Sequence, residues 1–169
     1  MEGTKVVAVM ADRKHKTIIS KVCRGVMVMV PGYRVKVDFY VCDSILTSDN
    51  KDYENNIYDK GHLAPAADFN CTKEMLFSTF TFLNCCLQDQ YLNRGTWRLL
   101  EVHERELSKT ATVKVKIVLV FDKKSIKLPT GATVPSGFYK YITVNGKTTK
   151  YFFKNEKPLS SDFKLYIVK

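Results

Sequence analysis

Four consecutive residues, Asp59-Lys60-Gly61-His62, combine an acid, a cation, a glycine and an imidazole, a set that can do acid–base chemistry. The side chain of His62 has an unperturbed pKa of about 6.5, so it can serve as a general base near neutral pH. Gly61 permits a sharp turn or the close approach of a ligand to the backbone. Pro65 stiffens the exit and indicates that His62 ends a strand or enters a loop. A structural histidine satisfied by a backbone carbonyl is the other interpretation that these residues allow.

The clearest helix in the sequence is predicted from about Tyr91 to Leu107. Its apolar residues recur at helical spacing and should face the core: Trp97, Leu100 and Leu107. Glu101 and Arg105 are four residues apart, so they are neighbours on one side of this helix. Because Trp97 shares the apolar face, we expect it in the core and not as a platform for base stacking.

A strand that ends at His62, a connecting loop and this helix would bring an imidazole and the amide oxygen of Asn93 to one point. Amide oxygens are hard ligands that suit Mg²⁺, which keeps several waters and needs few protein groups. Glu101 could hold those waters, and Arg105 could reach a phosphate oxygen with its planar fork. Lys60 should point to the same face of the strand as His62. These are the parts needed to hydrolyse a phosphodiester.

The rest of the chain supplies strands and turns that would support this unit. A loop is predicted over Ser44–Asn56, helical turns over Thr72–Phe77 with Thr72 as N-cap, and a hairpin turn at Asn145-Gly146. Strands are predicted over Val6–Met10, Thr17–Cys23, Val26–Val30, Arg34–Phe39, Phe80–Leu83, Thr112–Phe121, Phe138–Val144, Thr149–Phe153 and, as a last edge strand, Lys164–Val168. The pattern predicts an α+β fold with a mostly antiparallel central sheet and one principal helix.

The composition is that of a globular protein with a strong positive charge. Of the 169 residues, 45% are hydrophobic and 26% charged, which predicts one domain with a sizeable core. Lys and Arg number 27 against 17 Asp and Glu, a formal net charge of +10. This excess attracts polyanions, above all nucleic acid, although solubility alone would also explain it. A membrane partner is not expected, because no segment has the pattern of a basic amphipathic helix.

Cysteine usage and the N-terminus both favour an intracellular location in the cytoplasm, nucleus or mitochondrion. No signal peptide is visible, and no run approaches the roughly 20 apolar residues that span a bilayer. The odd cysteine count and the absence of a C-x-x-C pair predict buried reduced thiols and no structural zinc site. The five cysteines are Cys23, Cys42, Cys71, Cys85 and Cys86.

Five pieces of the chain, in order, resemble the DNA/RNA non-specific endonucleases, the endonuclease G-like group of the ββα-metal (His-Me finger) superfamily. They are Asp59-Lys60-Gly61-His62 with Leu63-Ala64-Pro65-Ala66, Leu83-Asn84, Tyr91-Leu92-Asn93-Arg94-Gly95-Thr96-Trp97, the pair Glu101 and Arg105, and Val134-Pro135-Ser136-Gly137-Phe138-Tyr139-Lys140. The resemblance extends from about Phe39 to Asn155. It implies a single nuclease domain over 1–169 whose ββα-metal core lies at about 57–107.

The resemblance also implies a mechanism and a cofactor. His62 would remove a proton from the water that attacks phosphorus, and Asn93 would hold Mg²⁺, for which Mn²⁺ can substitute. Asn84 would position the site, Glu101 would orient water around the metal, and Arg105 would contact phosphate. Products would carry 5′-phosphates. DNA and RNA would both be cut with little sequence preference, because the contacts are to sugar and phosphate and not to base edges.

Lys60 stands where the family's signature has arginine, so it keeps the charge but loses bidentate geometry. Arg34, Lys36 and Arg94 are candidates for further phosphate contacts. A catalytically impaired, basic nucleic-acid-binding protein on the same scaffold is the alternative function, with Lys60 as its sign. A homodimer and an inhibitor protein are considered as further partners.

Overall fold

The computed structural model describes residues 9–11, 16–21, 39, 47–69 and 73–169. Their largest element is a five-stranded antiparallel sheet in the order β1-β2-β5-β8-β9. Its strands are β1 (Val9–Ala11), β2 (Lys16–Lys21), β5 (Val113–Val120), β8 (Gly137–Val144) and β9 (Lys147–Lys154). The predicted antiparallel sheet is confirmed, while the strands predicted over Val26–Val30 and Arg34–Phe39 fall outside the described residues, apart from Phe39 itself.

A separate hairpin carries the His62 segment. Strand β3 (Tyr58–His62) pairs antiparallel with β4 (Cys85–Asp89), and His62 lies opposite Cys85. Gly61 is required by this pairing, because a Cβ there would come within 2.3 Å of Oε1 and 2.6 Å of Cβ of Gln88. Between the strands lie the short helix α1 (Lys73–Ser78) and two 3₁₀ turns (Ala66–Asp68 and Phe82–Asn84). A small hairpin, β6 (Ile126–Lys127) with β7 (Thr133–Val134), precedes β8.

The helical region that follows β4 runs without a break in sequence, but its hydrogen-bond pattern changes along its length. It begins as α2 (Gln90–Leu92), passes through a π-type turn (Asn93–Trp97) and continues as α3 (Arg98–Ser108). The prediction of one regular helix is therefore wrong at its start, where Gly95 leaves helical dihedral angles. Asp89 caps the first turn by accepting hydrogen bonds from the backbone N–H groups of Tyr91 (2.9 Å) and Leu92 (3.0 Å).

Two predicted strands are turns. The segment Phe80–Leu83 becomes a 3₁₀ turn because the hydroxyl of Thr81 accepts a hydrogen bond from the N–H of Leu83 (3.3 Å), so Asn84 ends a turn and not a strand. The predicted edge strand over Lys164–Val168 is a 3₁₀ turn (Phe163–Tyr166) with a single bridge from Ile167 to Tyr151. Asp162 caps this turn and fixes it.

The core lies between α3 and the inward face of the sheet. Trp97 packs against Phe138 and Phe153, with ring centroids 5.5 and 5.6 Å apart. At the tip of the β8–β9 hairpin, Asn145 and Gly146 have positive φ angles of 49° and 85°, as the predicted two-residue turn requires. In the described ranges, every helix is too short or too polar to traverse a lipid bilayer.

Candidate active site

His62 is the last residue of β3, and its imidazole lies between two phenylalanine rings. The centroid of the imidazole is 4.9 Å from that of Phe39 and 4.9 Å from that of Phe80. Nε2 is buried and has no hydrogen-bond partner within the part of the chain that the structure describes. Burial lowers the pKa of His62 to about 4, since removal from water disfavours the charged imidazolium. The imidazole is therefore neutral at pH 7, the state that a proton acceptor needs.

Lys60 lies on the same face of β3 as His62. Both side chains contact the ring of Phe39, which is 5.7 Å from the Lys60 ammonium. The rings of Tyr53 and Phe82 surround the same ammonium at 5.9 and 5.6 Å. This aromatic enclosure holds a cation by its ring faces two residues from the imidazole.

Asp59 fixes the beginning of the helix against β3. Its Oδ2 accepts hydrogen bonds from Nδ2 of Asn93 (2.8 Å) and from Nε of Arg94 (2.8 Å), and its Oδ1 forms an ion pair with Nη2 of Arg94 at 2.6 Å. The amide nitrogen of Asn93 is thus committed to Asp59, which turns the amide oxygen away from that carboxylate. Asp59 precedes His62 by three residues, roughly 10 Å of extended chain. Asn93 and His62 are thereby attached to the same short strand.

Asn84 clamps the backbone that leaves His62. Its Oδ1 accepts a hydrogen bond from the N–H of Ala64 (2.9 Å), and its Nδ2 donates to the carbonyls of Ala64 (2.8 Å) and Thr79 (2.9 Å). The backbone carbonyl of Asn84 also accepts from the N–H of Leu63 (3.0 Å). The side chain is buried, so these bonds are shielded from water and give the His62 loop one conformation.

Arg105 ties the same loop to α3. Its Nη1 forms a 2.9 Å ion pair with Oδ1 of Asp68, a carboxylate that is almost fully buried. Burial raises the pKa of Asp68, and the bond to Arg105 opposes that shift. The loop between β3 and α1 is therefore held at Ala64 by Asn84 and at Asp68 by Arg105, and the guanidinium keeps further donors for another anion.

A buried ionic cluster adjoins this contact. Glu104 of α3 and Lys140 of β8 form a 2.7 Å ion pair with side chains that are 1% and 0% exposed, and Nζ of Lys140 lies 4.3 Å from the ring centroid of Trp97. Burial raises the pKa of Glu104 to about 7, and the Lys140 charge opposes the rise. The pKa of the half-buried Glu101 is also raised, by burial first and by Asp68 as well.

The structure thus divides the predicted site residues into groups. His62 and Lys60 share the aromatic enclosure, Asn93 and Arg94 share Asp59, Asn84 clamps the loop, and Arg105 binds Asp68 beside Glu101. Arg34 and Lys36 lie outside the described residues.

The sequence analysis assigned no role to three residues that have clear structural roles: Asp59, Glu104 and Lys140. Asp59 stands in the tetrapeptide itself. Glu104 falls on the apolar face of the helix with Leu100, and Lys140 alternates inward with Phe138. A charged residue at a core-facing position is the signal that would have identified these two.

A two-stranded hairpin followed by a helix, with a histidine ending the first strand and an asparagine in the first turns of the helix, defines the ββα-metal class of nucleases. A family model described as DNA/RNA non-specific endonuclease matches residues 36–166. This chain belongs to the DNA/RNA non-specific endonuclease family.

Individual relatives agree with this family. A mitochondrial nuclease of Saccharomyces cerevisiae is 31% identical over 140 residues, 68% of this chain and 42% of that protein. Mitochondrial endonuclease G of Bos taurus is 34% identical over 82 residues, 47% of this chain and 27% of that protein. EndoG in its crystallised complex with EndoGI has the same fold, with a TM-score of 0.72 at 24% identity over 95% of this chain and 80% of that one. The chain covers between 15% and 47% of the length of the curated relatives that it matches.

The donor atoms fit a hard divalent cation held mainly by water. No cluster of three or more His, Cys, Asp or Glu side chains with metal-ligand geometry occurs among the described residues. The amide oxygen of Asn93, whose amide nitrogen donates to Asp59, is instead a hard donor atom that could bind such an ion. Mg²⁺ keeps several of its waters and needs only one or two protein ligands, so this donor set suits it.

Proposed function

We propose that this protein is a metal-dependent endonuclease that hydrolyses phosphodiester bonds of DNA and RNA. The observation that carries the proposal is the neutral imidazole of His62 at the end of β3, the strand to which Asp59 attaches Asn93. A proton acceptor on β3 and a metal ligand whose side chain is hydrogen-bonded to the same strand are the two groups that hydrolysis of a phosphodiester requires. Family membership supports the same reaction.

His62 acts as the general base. Because Nε2 is enclosed, we assign proton acceptance to Nδ1 of the neutral imidazole. Nδ1 takes a proton from water, the water oxygen forms a bond to phosphorus, and the bond from phosphorus to the 3′-oxygen breaks. The products are a 5′-phosphate and a 3′-hydroxyl that takes up a proton from solvent.

Asn93 holds the metal, Mg²⁺ with Mn²⁺ as a substitute, through its amide oxygen. When bound, the ion stabilises the negative charge that develops on the phosphate oxygens. Glu101, two helical turns after Asn93, would orient water around a bound ion. Asn84 keeps the His62 loop in place through Ala64.

Cationic side chains bind the substrate without reading its bases. Lys60 lies two residues from the base, Arg105 keeps donors beyond its bond to Asp68, and Arg94 is largely exposed beside Asp59. Contacts of this kind go to phosphates, so DNA and RNA are both accepted. Arg34 and Lys36 remain candidates for the same role.

A catalytically impaired nucleic-acid-binding protein is the second candidate. The observation that favours it is that the Lys60 ammonium already donates to Oδ1 of Asn50 and lies over three rings, which leaves it less available to phosphate than an extended arginine.

Turnover distinguishes the two functions. A supercoiled plasmid and a structured RNA are incubated with Mg²⁺ or Mn²⁺, with EDTA as the metal control and His62→Ala as the catalytic variant. His103→Ala is the matched control, because His103 stacks on Phe163 with centroids 5.1 Å apart, away from β3. We expect cleavage by wild type and His103→Ala only. Degradation that persists in His62→Ala rejects the mechanism, and retardation without cleavage by wild type leaves the binding protein.

The relatives also bear on location and partners. Several carry mitochondrial in their names, and we propose an intracellular location for this chain in line with them. EndoG has been crystallised with EndoGI in a complex that explains its inhibition, so an inhibitor protein is a proposed partner here too. A homodimer is a further proposed state, and sedimentation tests it.

A further inference from the structure

The outward face of the main sheet carries aromatic and lysine side chains in alternation. Side chains of a strand alternate between faces, so residues paired across β5, β8 and β9 lie on the same side. Val115 of β5 and Phe138 of β8 point to the core, whereas the alternate positions point outward. The outward residues form a surface that we call the aromatic–lysine face: Lys114, Lys116, Tyr139, Tyr141, Lys150 and Phe152.

The rings of this face are in contact with one another and with the lysines. Tyr139 lies 4.8 Å from Phe152 and 6.3 Å from Tyr141 between ring centroids. Nζ of Lys150 is 4.5 Å from the Tyr139 ring and 5.9 Å from the Tyr141 ring, and Nζ of Lys116 is 5.6 Å from the Tyr141 ring. Cations and ring faces thus occupy one continuous patch.

Charge on this face has one sign. The strands β5, β8 and β9 contain lysines but neither Asp nor Glu. Lys114 and Lys116 are exposed, and the two tyrosines are half-buried. A partner must therefore be anionic and must offer flat groups that stack on rings.

The aromatic–lysine face lies on the opposite side of the sheet from the candidate active site. Lys140, which alternates with Tyr139 and Tyr141, points inward and forms its ion pair with Glu104 of α3. A substrate phosphate at His62 is held on the α3 side, so it does not occupy the outward face. Among the described residues, the active-site groups thus leave this face to a different stretch of ligand.

We propose that the aromatic–lysine face binds single-stranded nucleic acid, with bases stacked on Tyr139, Tyr141 and Phe152 and phosphates beside the lysines. Base–aromatic stacking combined with a positive surface is how single strands are held without sequence preference. Duplex bases are covered by their neighbours and offer no free ring face. A second copy of the chain fits less well, because a two-fold contact would set the lysines against each other. The inference goes beyond the proposed function, since binding here needs neither metal nor His62.

Binding is tested in EDTA with a fluorescent oligothymidylate of about 20 nucleotides, long enough for several stacking positions. Tyr141→Ala should weaken binding roughly 5- to 150-fold, the range that loss of one stacked base gives. Lys150→Ala should weaken it and lower the slope of log K against log salt by about 0.7. Phe77→Ala and Lys124→Ala, exposed residues on other surfaces, are the matched controls and should leave the affinity within twofold.

Two further measurements locate the ligand. An oligonucleotide with 5-iododeoxyuridine should photo-crosslink within β8 and β9 of the wild-type protein, which requires no variant to fold. A small chromogenic phosphodiester, hydrolysed at the active site alone, should be turned over by Tyr141→Ala as by wild type. Unchanged affinity in both variants, or crosslinks confined to the His62 side, overturns the proposal. So does a dimer in sedimentation that Tyr141→Ala dissociates. If the wild-type protein does not hydrolyse the small substrate, the proposed nuclease function is rejected, while the proposal for the aromatic–lysine face is unaffected.

Discussion

The surroundings of His62 decide which form of its imidazole the protein presents. Phe39 and Phe80 take the ring out of water, and Nε2 meets no described hydrogen-bond partner. The neutral form is therefore favoured down to a pH of about 4, the value that burial gives its pKa. A base with this pKa is in its neutral, proton-accepting form over the whole physiological pH range, but it is a weaker base than a free imidazole.

This arrangement predicts the acid limb of the activity profile. As the pH is lowered, kcat/KM of the wild type for a small phosphodiester should fall only near pH 4. In Phe80→Ser this fall should move upward toward pH 6.5, because water then reaches the His62 ring and stabilises the imidazolium. An NMR titration of the His62 ring measures the same pKa directly. A limb at 6.5 or above in wild type would contradict an enclosed imidazole.

The same shift affects folding. The folded-state pKa lies below the unfolded value, so the unfolded chain binds the proton more readily between pH 6.5 and about 4. The contribution of His62 to stability is therefore present above pH 6.5 and is lost as the pH falls through that window.

Asn84 is the residue on which the position of His62 depends most. Asn84→Ala removes its side-chain hydrogen bonds to Ala64 and Thr79 and leaves buried backbone groups without partners. We expect a loss of about 3 kcal/mol in the free energy of unfolding, measured by urea denaturation, and a fall in kcat larger than the change in KM. Asn84→Asp keeps the acceptor but loses the donor to the carbonyls of Ala64 and Thr79, so it should restore neither the free energy of unfolding nor kcat. A normal kcat in a folded Asn84→Ala protein would show that the loop after His62 keeps its conformation without Asn84.

At the scale of elements, α3 is attached to both structures that it must bring together. At the beginning of the helical region, Asn93 donates a hydrogen bond to Asp59 of β3. Further along, Arg105 binds the loop after His62, and Glu104 binds Lys140 of β8. The helix is therefore a bridge between the candidate active site and the core.

The Glu104–Lys140 pair tests that attachment. Lys140→Met or Glu104→Leu alone should destabilise the fold by about 3–5 kcal/mol, because each leaves a buried charged group without its partner. Glu104→Leu combined with Lys140→Met should cost much less than the sum of the single changes. Chemical denaturation of the four proteins measures the coupling. Additive effects would show that the two side chains do not stabilise each other.

At the scale of the whole molecule, the net charge of +10 sets how the protein meets a polyanion. Affinity for duplex DNA, measured in EDTA, should fall steeply between 50 and 200 mM salt, by roughly tenfold for about every two phosphates contacted. Lys114→Ala should reduce the slope for single strands and leave that for duplex unchanged. A flat salt response would show that the positive charge is not the binding surface.

The sequence by itself determined the antiparallel sheet, the single long helical region and the order of the motifs. Alternation in β5 and β8 and the Asn145-Gly146 turn are local signals, and local signals survive folding. Its pattern wrongly predicted a strand over Phe80–Leu83 and a regular helix start near Asn93. There, a Thr81 cap and a π-type turn at Gly95 outweigh the apolar pattern.

Only the tertiary structure decided how the candidate site is held together. The bonds from Asp59 to Asn93 and from Asn84 to Ala64, together with the Glu104–Lys140 pair, join residues that are 20 to 36 positions apart in the chain. Burial of His62 by rings from other segments likewise sets a pKa that its own sequence neighbours cannot reveal. Motifs name the chemical groups, whereas desolvation and long-range pairing, which depend on the folded packing, decide their charge and position.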